Sequence, residues 1–168
     1  MSRIAGIALG TATAVAAGLV PATAAGLPDP VATHFSGSGR ADGWTSRTVY
    51  AASMTVLTLA VPLATWLSLA WLPRRWPRLV NLPNRDHWFA PERREATLAR
   101  LARFGILLSA AVLALMVSVH VGVVDANRRV PPAAGSTILV LPAVFGLAIA
   151  ALGIASVLRF HRRPDIRR

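Results

Sequence analysis

Two side chains with acid and base chemistry, His34 and Asp42, lie close together in a glycine-rich segment near the start of the chain. An imidazole and a carboxylate that the backbone bends toward each other can hold a cation or a peptide ligand. His120 would supply a third ligand if its helix ends beside this segment. In the structural alternative, Asp42 closes a turn, His34 bonds the backbone, and Phe35 and Trp44 seat the segment on a bilayer. Because metal sites usually show three or four clear ligands, the sequence favours the structural alternative and predicts no bound metal.

Catalytic patterns are not evident elsewhere in the chain. Ser36 and Ser38 stand near His34, but they are ordinary loop serines, and no nucleophile-elbow, zinc-protease or phosphate-loop motif occurs. The chain has no cysteine, which excludes a disulfide, a thiolate metal site and a thiol nucleophile. The sequence therefore predicts a protein that is not an enzyme and needs no cofactor.

The elements that must position these residues follow from hydropathy. A mean hydropathy of +0.52 with 54% apolar residues is too high for a soluble domain of 168 residues. Four stretches without a charged residue reach the roughly 20 residues that cross a hydrocarbon core. They are residues 4–25, 49–72, 104–124 and 137–158. Because lipid offers no partner to backbone polar groups, we expect all four to be helices.

The arginines predict which side each loop faces. All 18 basic residues are arginines. Fourteen lie in the two termini and the central loop 73–103, whereas four lie in the other two loops. Under the positive-inside rule, both termini and the central loop are cytoplasmic and the chain is a multi-pass protein of the inner (plasma) membrane. The positive charge then indicates anionic lipid headgroups as a partner and gives no support to nucleic-acid binding.

The first apolar stretch allows two interpretations. A basic start, an apolar run and the sequence Ala22-Thr23-Ala24 resemble a cleaved signal peptide. The run is longer than a usual signal core, which favours an uncleaved span. Within it, Gly6, Gly10, Ala14 and Gly18 line one helix face with small side chains, and Gly146, Ala150 and Gly153 form a weaker patch in the last span. We expect these faces to pack closely, against another span, a second copy or a membrane partner.

The loops differ in character. Segment 26–48 contains prolines and glycines and is predicted to be an ordered turn without helix. In loop 73–103, a helix is expected from Pro91 onward, with an apolar stripe including Leu98 and Leu101 that lies on the membrane surface. Trp71, Trp76 and Trp88 stand beside arginines, as interfacial anchors do.

A polar cluster in the same loop either docks a partner protein or ties the loop to the helix ends. Its members are Asn81, Asn84, Arg85, Asp86 and Trp88. Arg85 beside Asp86 is more often a local ion pair than a binding site.

The segment LPDPVATHFSGSGRADGW resembles the signature of a bacterial membrane family, domain of unknown function 1648, known as the amino-terminal part of SdpI-type immunity proteins. The residues that fill the family's pattern are Leu27, Pro28, Pro30, His34, Phe35, Gly39, Asp42 and Trp44. The resemblance continues in NLPNRDHWFAPERREATLARL and in His120, Asn127, Pro131 and Pro132. It implies an integral membrane protein with a role in toxin immunity or signalling, although this chain lacks the additional spans of the longer SdpI-type proteins.

The sequence as a whole predicts an all-α membrane protein, a bundle of four transmembrane helices with an ordered outer loop between the first two. Its predicted role is a non-enzymatic binding, sensory or immunity-like membrane module. The alternative is a small transporter or an accessory subunit of a membrane complex, which would require polar groups lining a path; apart from His120 and scattered hydroxyls, the spans provide almost none.

Overall fold

The computed structural model describes residues 2–161 and is mostly helical, with one β-hairpin. Its elements in chain order are α1 (Ser2–Ala24), β1 (Val31–Phe35), β2 (Ala41–Thr45), α2 (Arg47–Trp66), a π-helical segment (Leu67–Trp71), α3 (Leu72–Arg75), a 3-10 turn (Pro77–Leu79), α4 (Arg85–Trp88), α5 (Arg94–Asn127) and α6 (Ser136–His161).

Four helical stretches are long and apolar enough to cross a membrane. They run over Arg3–Ala24, Arg47–Arg75, Arg94–Asn127 and Ser136–His161, and each contains or closely overlaps one of the four predicted stretches. The predicted four-helix architecture is therefore confirmed. Helix α5 lies at its centre, since it packs against α1, α2, α6 and β1.

Two glycines of α5 allow neighbouring helices to approach closely. A Cβ atom on Gly122 would lie 2.7 Å from the Cα of Ile138 in α6, and one on Gly105 would lie 3.0 Å from the Cβ of Leu69 in the π-helical segment. Without a hydrophobic driving force between helices in lipid, such backbone proximity is a main source of packing energy. The close contacts of the bundle therefore belong to α5.

The predicted small-residue faces of α1 and α6 make no close helix contact within the described part of the chain. A Cβ added at Gly6, Gly10 or Gly18 would meet no atom within 4 Å, and the same holds for Gly146 and Gly153. Helix α1 instead turns a different face inward, which contains the buried residues Thr13, Ala17, Val20 and Ala24. Packing of the small-residue faces against another span is therefore wrong, and packing against a second copy or a membrane partner stays a prediction.

The segment between the first two helices forms an antiparallel hairpin, so the all-α prediction needs correction. Strand β1 is rich in β-branched and aromatic residues, and its partner β2 pairs Val31 with Thr45 and Phe35 with Ala41. Gly39, at φ 83°, provides the left-handed residue of the connecting turn. The loop is ordered, as expected, but its regular structure is a β-sheet of two strands.

Arg47 and Ser46 join the hairpin tightly to both helices. The Arg47 guanidinium donates to the carbonyl oxygens of Ala25 (3.2 Å) and Leu27 (3.0 Å), which lie just after the end of α1. The Ser46 hydroxyl accepts from the Val49 amide at the start of α2 (3.3 Å) and serves as its amino-terminal cap. The hairpin consequently sits directly on the ends of α1 and α2.

The connections group at two ends of the bundle. The backbone of Ala134, between α5 and α6, donates to the Gly39 carbonyl of the hairpin (2.8 Å), and we call this end the hairpin side. At the opposite end the Trp88 indole packs on Phe160, at the end of α6 (5.3 Å between ring centroids), and we call it the arginine side. Four arginines used to predict topology, Arg162, Arg163, Arg167 and Arg168, lie outside the described residues.

The predicted membrane-surface helix is wrong. Helix α5 begins at Arg94 and continues without a break for 34 residues. Leu98 and Leu101 are buried, and Leu101 packs in a cluster with Trp88 and Phe160 instead of facing lipid. Trp88 is only 7% exposed, so it is not an interfacial anchor, whereas Trp71 and Trp76 are about half exposed.

We expect Gly122→Ala to destabilise the bundle, because the added methyl group would overlap the backbone of Ile138. Overpacking of this kind costs about 1 to 3 kcal/mol. Gly146→Ala is the matched control, since its methyl group would meet no atom within 4 Å. Unfolding by titration with sodium dodecyl sulfate, followed by circular dichroism, measures both variants, and equal midpoints would contradict the close α5–α6 contact.

Candidate functional site

The hairpin is held on the bundle by the side chain of Asn127, the last residue of α5. The Asn127 amide accepts from the Ala32 N–H (2.9 Å) and donates to the Ala32 carbonyl (2.9 Å), as a neighbouring strand would. A further bond from the same amide nitrogen to the Val123 carbonyl (2.9 Å) fixes the orientation of the side chain. Both Ala32 and Asn127 are buried, so this pairing satisfies backbone groups that water does not reach.

The exposed surface of the hairpin carries the pair His34 and Asp42. The imidazole Nδ1 lies 2.5 Å from the Asp42 carboxylate, and the His34 side chain is 75% exposed. Gly43, opposite His34 in the register, makes room for this contact, because a Cβ there would lie 2.8 Å from the Cβ of His34. With Nδ1 bonded to the carboxylate, Nε2 is the ring nitrogen that remains to hydrogen-bond a ligand.

The remaining outer-loop residues form the turn and rim around this pair. Ser36 and Ser38 hydrogen-bond to each other (2.9 Å), and the Ser36 hydroxyl also donates to the Arg40 carbonyl (3.2 Å). The two hydroxyls therefore stabilise the turn and are not aligned with His34 as nucleophiles. Phe35 is half-buried, whereas Trp44 in β2 is 52% exposed.

His120 forms a separate site inside the bundle that joins three helices. Its Nε2 lies 2.7 Å from the Thr23 hydroxyl of α1, and its Nδ1 lies 2.8 Å from the Tyr50 hydroxyl of α2. Because Thr23 donates its own proton to the Leu19 carbonyl (2.7 Å), it accepts from Nε2–H, and Tyr50 donates to Nδ1. The ring is thereby fixed as one tautomer with both nitrogens satisfied.

The structure brings His34 to Asp42 but does not bring His120 to either residue. Both ring nitrogens of His120 already face Thr23 and Tyr50. Within residues 2–161, no group of three or more histidine or acidic side chains is placed to hold a metal ion. The three-ligand cation site considered from the sequence is therefore wrong, because His120 bonds side chains of α1 and α2 and joins no such group among the described residues.

The polar cluster on the arginine side ties its loop to the end of α6, which is one of the two predicted roles. The Trp88 indole donates to the Phe160 carbonyl (2.8 Å), and the Asn84 amide donates to the carbonyls of Phe160 (3.3 Å) and His161 (3.1 Å). Thr97 of α5 completes the contact by donating to the Trp88 carbonyl (2.7 Å). These bonds satisfy carbonyl groups that every helix leaves open at its carboxyl end.

The other members of that cluster are more exposed. The Arg85 guanidinium donates to the Pro77 carbonyl (3.3 Å) and lies 3.6 Å from the exposed carboxylate of Asp86. Asn81 is exposed. Docking of a partner protein on these residues stays a prediction.

Sequence reasoning missed the roles of Thr23 and Tyr50, and it noted Asn127 only through the family resemblance. Thr23 and Tyr50 lie at the hairpin-side ends of α1 and α2, close to the level of His120 in α5. Counting residues inward from the ends of the predicted helices would have placed these three polar side chains near one another. The glycines of the segment, Gly43 among them, were expected to bend the loop, but the close approach of Gly43 to His34 depends on strand register.

These observations define a small helical protein with four helices of membrane-spanning length and a hairpin that is hydrogen-bonded to one end of the bundle. Residues 7–59 match the family model described as Domain of unknown function (DUF1648). The resemblance predicted from the sequence is confirmed over this segment, which covers most of α1, the hairpin and the first part of α2. Searches of curated proteins and of solved structures found no match.

We expect Asn127→Ala to release the hairpin, since the Ala32 N–H and carbonyl would lose their bonds to the Asn127 amide at a buried position. The loss of stability should be about 3 kcal/mol, the penalty for burying unpaired polar groups. Hydrogen exchange of the β1 and β2 amides should accelerate. Arg40→Gln, which changes an exposed side chain of the same hairpin, is the control; unchanged exchange in Asn127→Ala would contradict the anchoring role.

The bond between Thr23 and His120 should stabilise the bundle measurably. Thr23→Val leaves the His120 Nε2–H without an acceptor and should lower the unfolding free energy by about 1 kcal/mol. Thr55→Val is a matched control, because Thr55 makes the same backbone bond within its helix, to Ala51 (2.8 Å), and no described bond to another helix. Equal effects of the two variants in detergent unfolding would mean that the interhelical bond contributes nothing.

Proposed function

We propose that the chain is a non-enzymatic binding or sensory membrane module, and that its hairpin recognises a peptide or protein ligand outside the cytoplasm. The observation that carries this proposal is the contrast between the anchored edge of the hairpin and its exposed side chains. The backbone edge of β1 is fixed to α5 by Asn127, whereas the side chains of His34, Asp42 and Trp44 are exposed. A rigid element with an exposed aromatic ring and an oriented imidazole is well suited to recognition.

The chemistry of the exposed face favours a peptide over a small ion. The Nε2 of His34 can hydrogen-bond a ligand, the Asp42 carboxylate can accept from a basic group, and the Trp44 ring offers apolar or cation–π contact. These three groups lie along one pair of strands. They therefore suit an extended peptide ligand better than a small ion. A cation site would need ligands that this surface does not supply among the described residues.

The proposed orientation rests on the distribution of arginines. The hairpin side carries Arg40, Arg47, Arg128 and Arg129, whereas the central loop carries eight. Arginine-rich loops are retained in the cytoplasm during insertion, which leaves the hairpin on the outer face of the inner membrane. If the ligand is a toxic peptide, sequestering it there would give the immunity-like role that the resemblance to SdpI-type proteins implies.

The His120 site supports a sensory variant of this proposal. It joins α1 and α2 to α5 near the end of α5 that holds the hairpin. A ligand that shifted the hairpin would act on Asn127, seven residues along the same helix from His120. Because Asn127 and His120 lie on the same helix, a movement of the hairpin would be transmitted along α5 to the contacts between the spans.

The test uses a photocrosslinking amino acid at position 44 in intact cells. We expect an adduct with a peptide or protein from outside the cytoplasm, identified by mass spectrometry. The adduct should be lost when His34→Ala and Asp42→Ala are added, because the recognition groups beside it are then absent. Both changes affect exposed side chains, so the amount of protein in the membrane should not fall.

Position 130 supplies the matched control, since Val130 is 97% exposed in the neighbouring connection. A crosslinker there should not yield the same adduct. Because the chain has no cysteine, Ser38→Cys labelled with a membrane-impermeant maleimide establishes the side of the hairpin in the same cells. The proposal fails if positions 44 and 130 give identical adducts, or if the His34 and Asp42 changes leave the adduct at 44 unaltered.

A further inference from the structure

A shallow cleft opens on the arginine side, where the second span ends. Its volume is about 490 Å³, and it is lined by Arg75, Trp76, Pro77, Arg78 and Leu79. The second span reaches this cleft through the π-helical segment. Pro73 follows this segment and has no N–H, so it interrupts the regular hydrogen bonding of the helix. The chain then turns away from the helix axis at Trp76.

The charges at this cleft are not neutralised within the described part of the chain. Arg74 lies 3.8 Å from Glu95, and Arg85 lies 3.6 Å from Asp86. By contrast, the described residues offer no acidic partner to Arg75 or Arg78, and the Arg75 guanidinium only stacks over the Trp76 ring at 5.6 Å. Two exposed guanidinium groups therefore flank a mostly apolar cleft.

The apolar side chains at the cleft lie at the expected level of the membrane surface. Trp76 is 44% exposed and Leu79 is 65% exposed, and Trp76 makes an edge contact with Trp71 at the end of the span (5.2 Å). Tryptophan is enriched at this level because its ring is apolar and its N–H is polar. Exposed Trp76 and Leu79 need an apolar cover, which a water-soluble anion does not provide.

We infer that this cleft binds one anionic phospholipid. Its phosphate accepts hydrogen bonds from the Arg75 and Arg78 guanidinium groups, which suit phosphate because of their planar, multiple donors. Its acyl chain lies against Trp76 and Leu79. The site is at the opposite end of the bundle from the hairpin, so it does not depend on the proposed ligand recognition.

The test is native mass spectrometry of the full chain, purified in detergent, with added phosphatidylglycerol. Arg75→Gln with Arg78→Gln should weaken binding about 25-fold, because each interfacial arginine contributes roughly a fivefold preference for anionic lipid. Arg40→Gln with Arg128→Gln removes the same charge on the hairpin side and should change binding less than twofold. Phosphatidylcholine should bind all three proteins weakly and equally.

Three results would overturn the inference. Equal phosphatidylglycerol binding by the wild type and the Arg75/Arg78 variant would show that these arginines do not form a lipid site. An equal loss of binding in the Arg40/Arg128 control would show a general effect of charge. Binding of glycerophosphoglycerol, the headgroup without acyl chains, as tightly as the whole lipid would assign the cleft to a soluble anion or a phosphorylated or acidic protein segment. Both variants alter exposed side chains, so unchanged circular dichroism and gel-filtration elution should accompany every comparison.

Discussion

The backbone N–H and carbonyl of Ala32 set a strict requirement in this fold, because both bond to Asn127 at a buried position where the hairpin meets α5. Leaving them unpaired would cost more than most single contacts supply. Asn127 meets the requirement with one side chain that donates and accepts at once. Since Asn127 is the last residue of α5, this pairing fixes the hairpin relative to the helix end, and the tight links at Ala25 and Arg47 then fix α1 and α2.

Helix α5 consequently organises both the packing and the polar contacts of the bundle. It carries Gly105 and Gly122 at the close approaches, His120 and Asn127 toward the hairpin, and Thr97 toward the opposite loop. The other three spans mainly face outward with apolar side chains, as lipid requires. Concentrating the specific contacts on one helix gives each neighbour a defined position without placing many polar groups in contact with lipid.

The predictions that failed share a physical origin. The apolar stripe through Leu98 and Leu101 has the same period whether it faces lipid or protein, so its pattern alone did not reveal the cover formed by Trp88 and Phe160. Trp88 stands beside arginines in the sequence as an interfacial anchor would, but Arg100 covers its buried ring at 5.3 Å. The glycine density between residues 26 and 48 favoured a turn and concealed the strand character of Val31–Phe35.

The sequence by itself determined the four helices, because a chain in hydrocarbon must satisfy each backbone group with a neighbour four residues away, and this requirement is local. It offered the contact between His34 and Asp42 as one alternative, but it favoured the other, in which His34 bonds the backbone and Asp42 closes a turn; the structure shows the contact. Only the tertiary structure decided the partners of His120 and Asn127, because Thr23, Tyr50 and Ala32 come from distant parts of the chain. Helical periodicity defines which face a residue occupies, but the identity of the side chain opposite that face depends on how the helices pack.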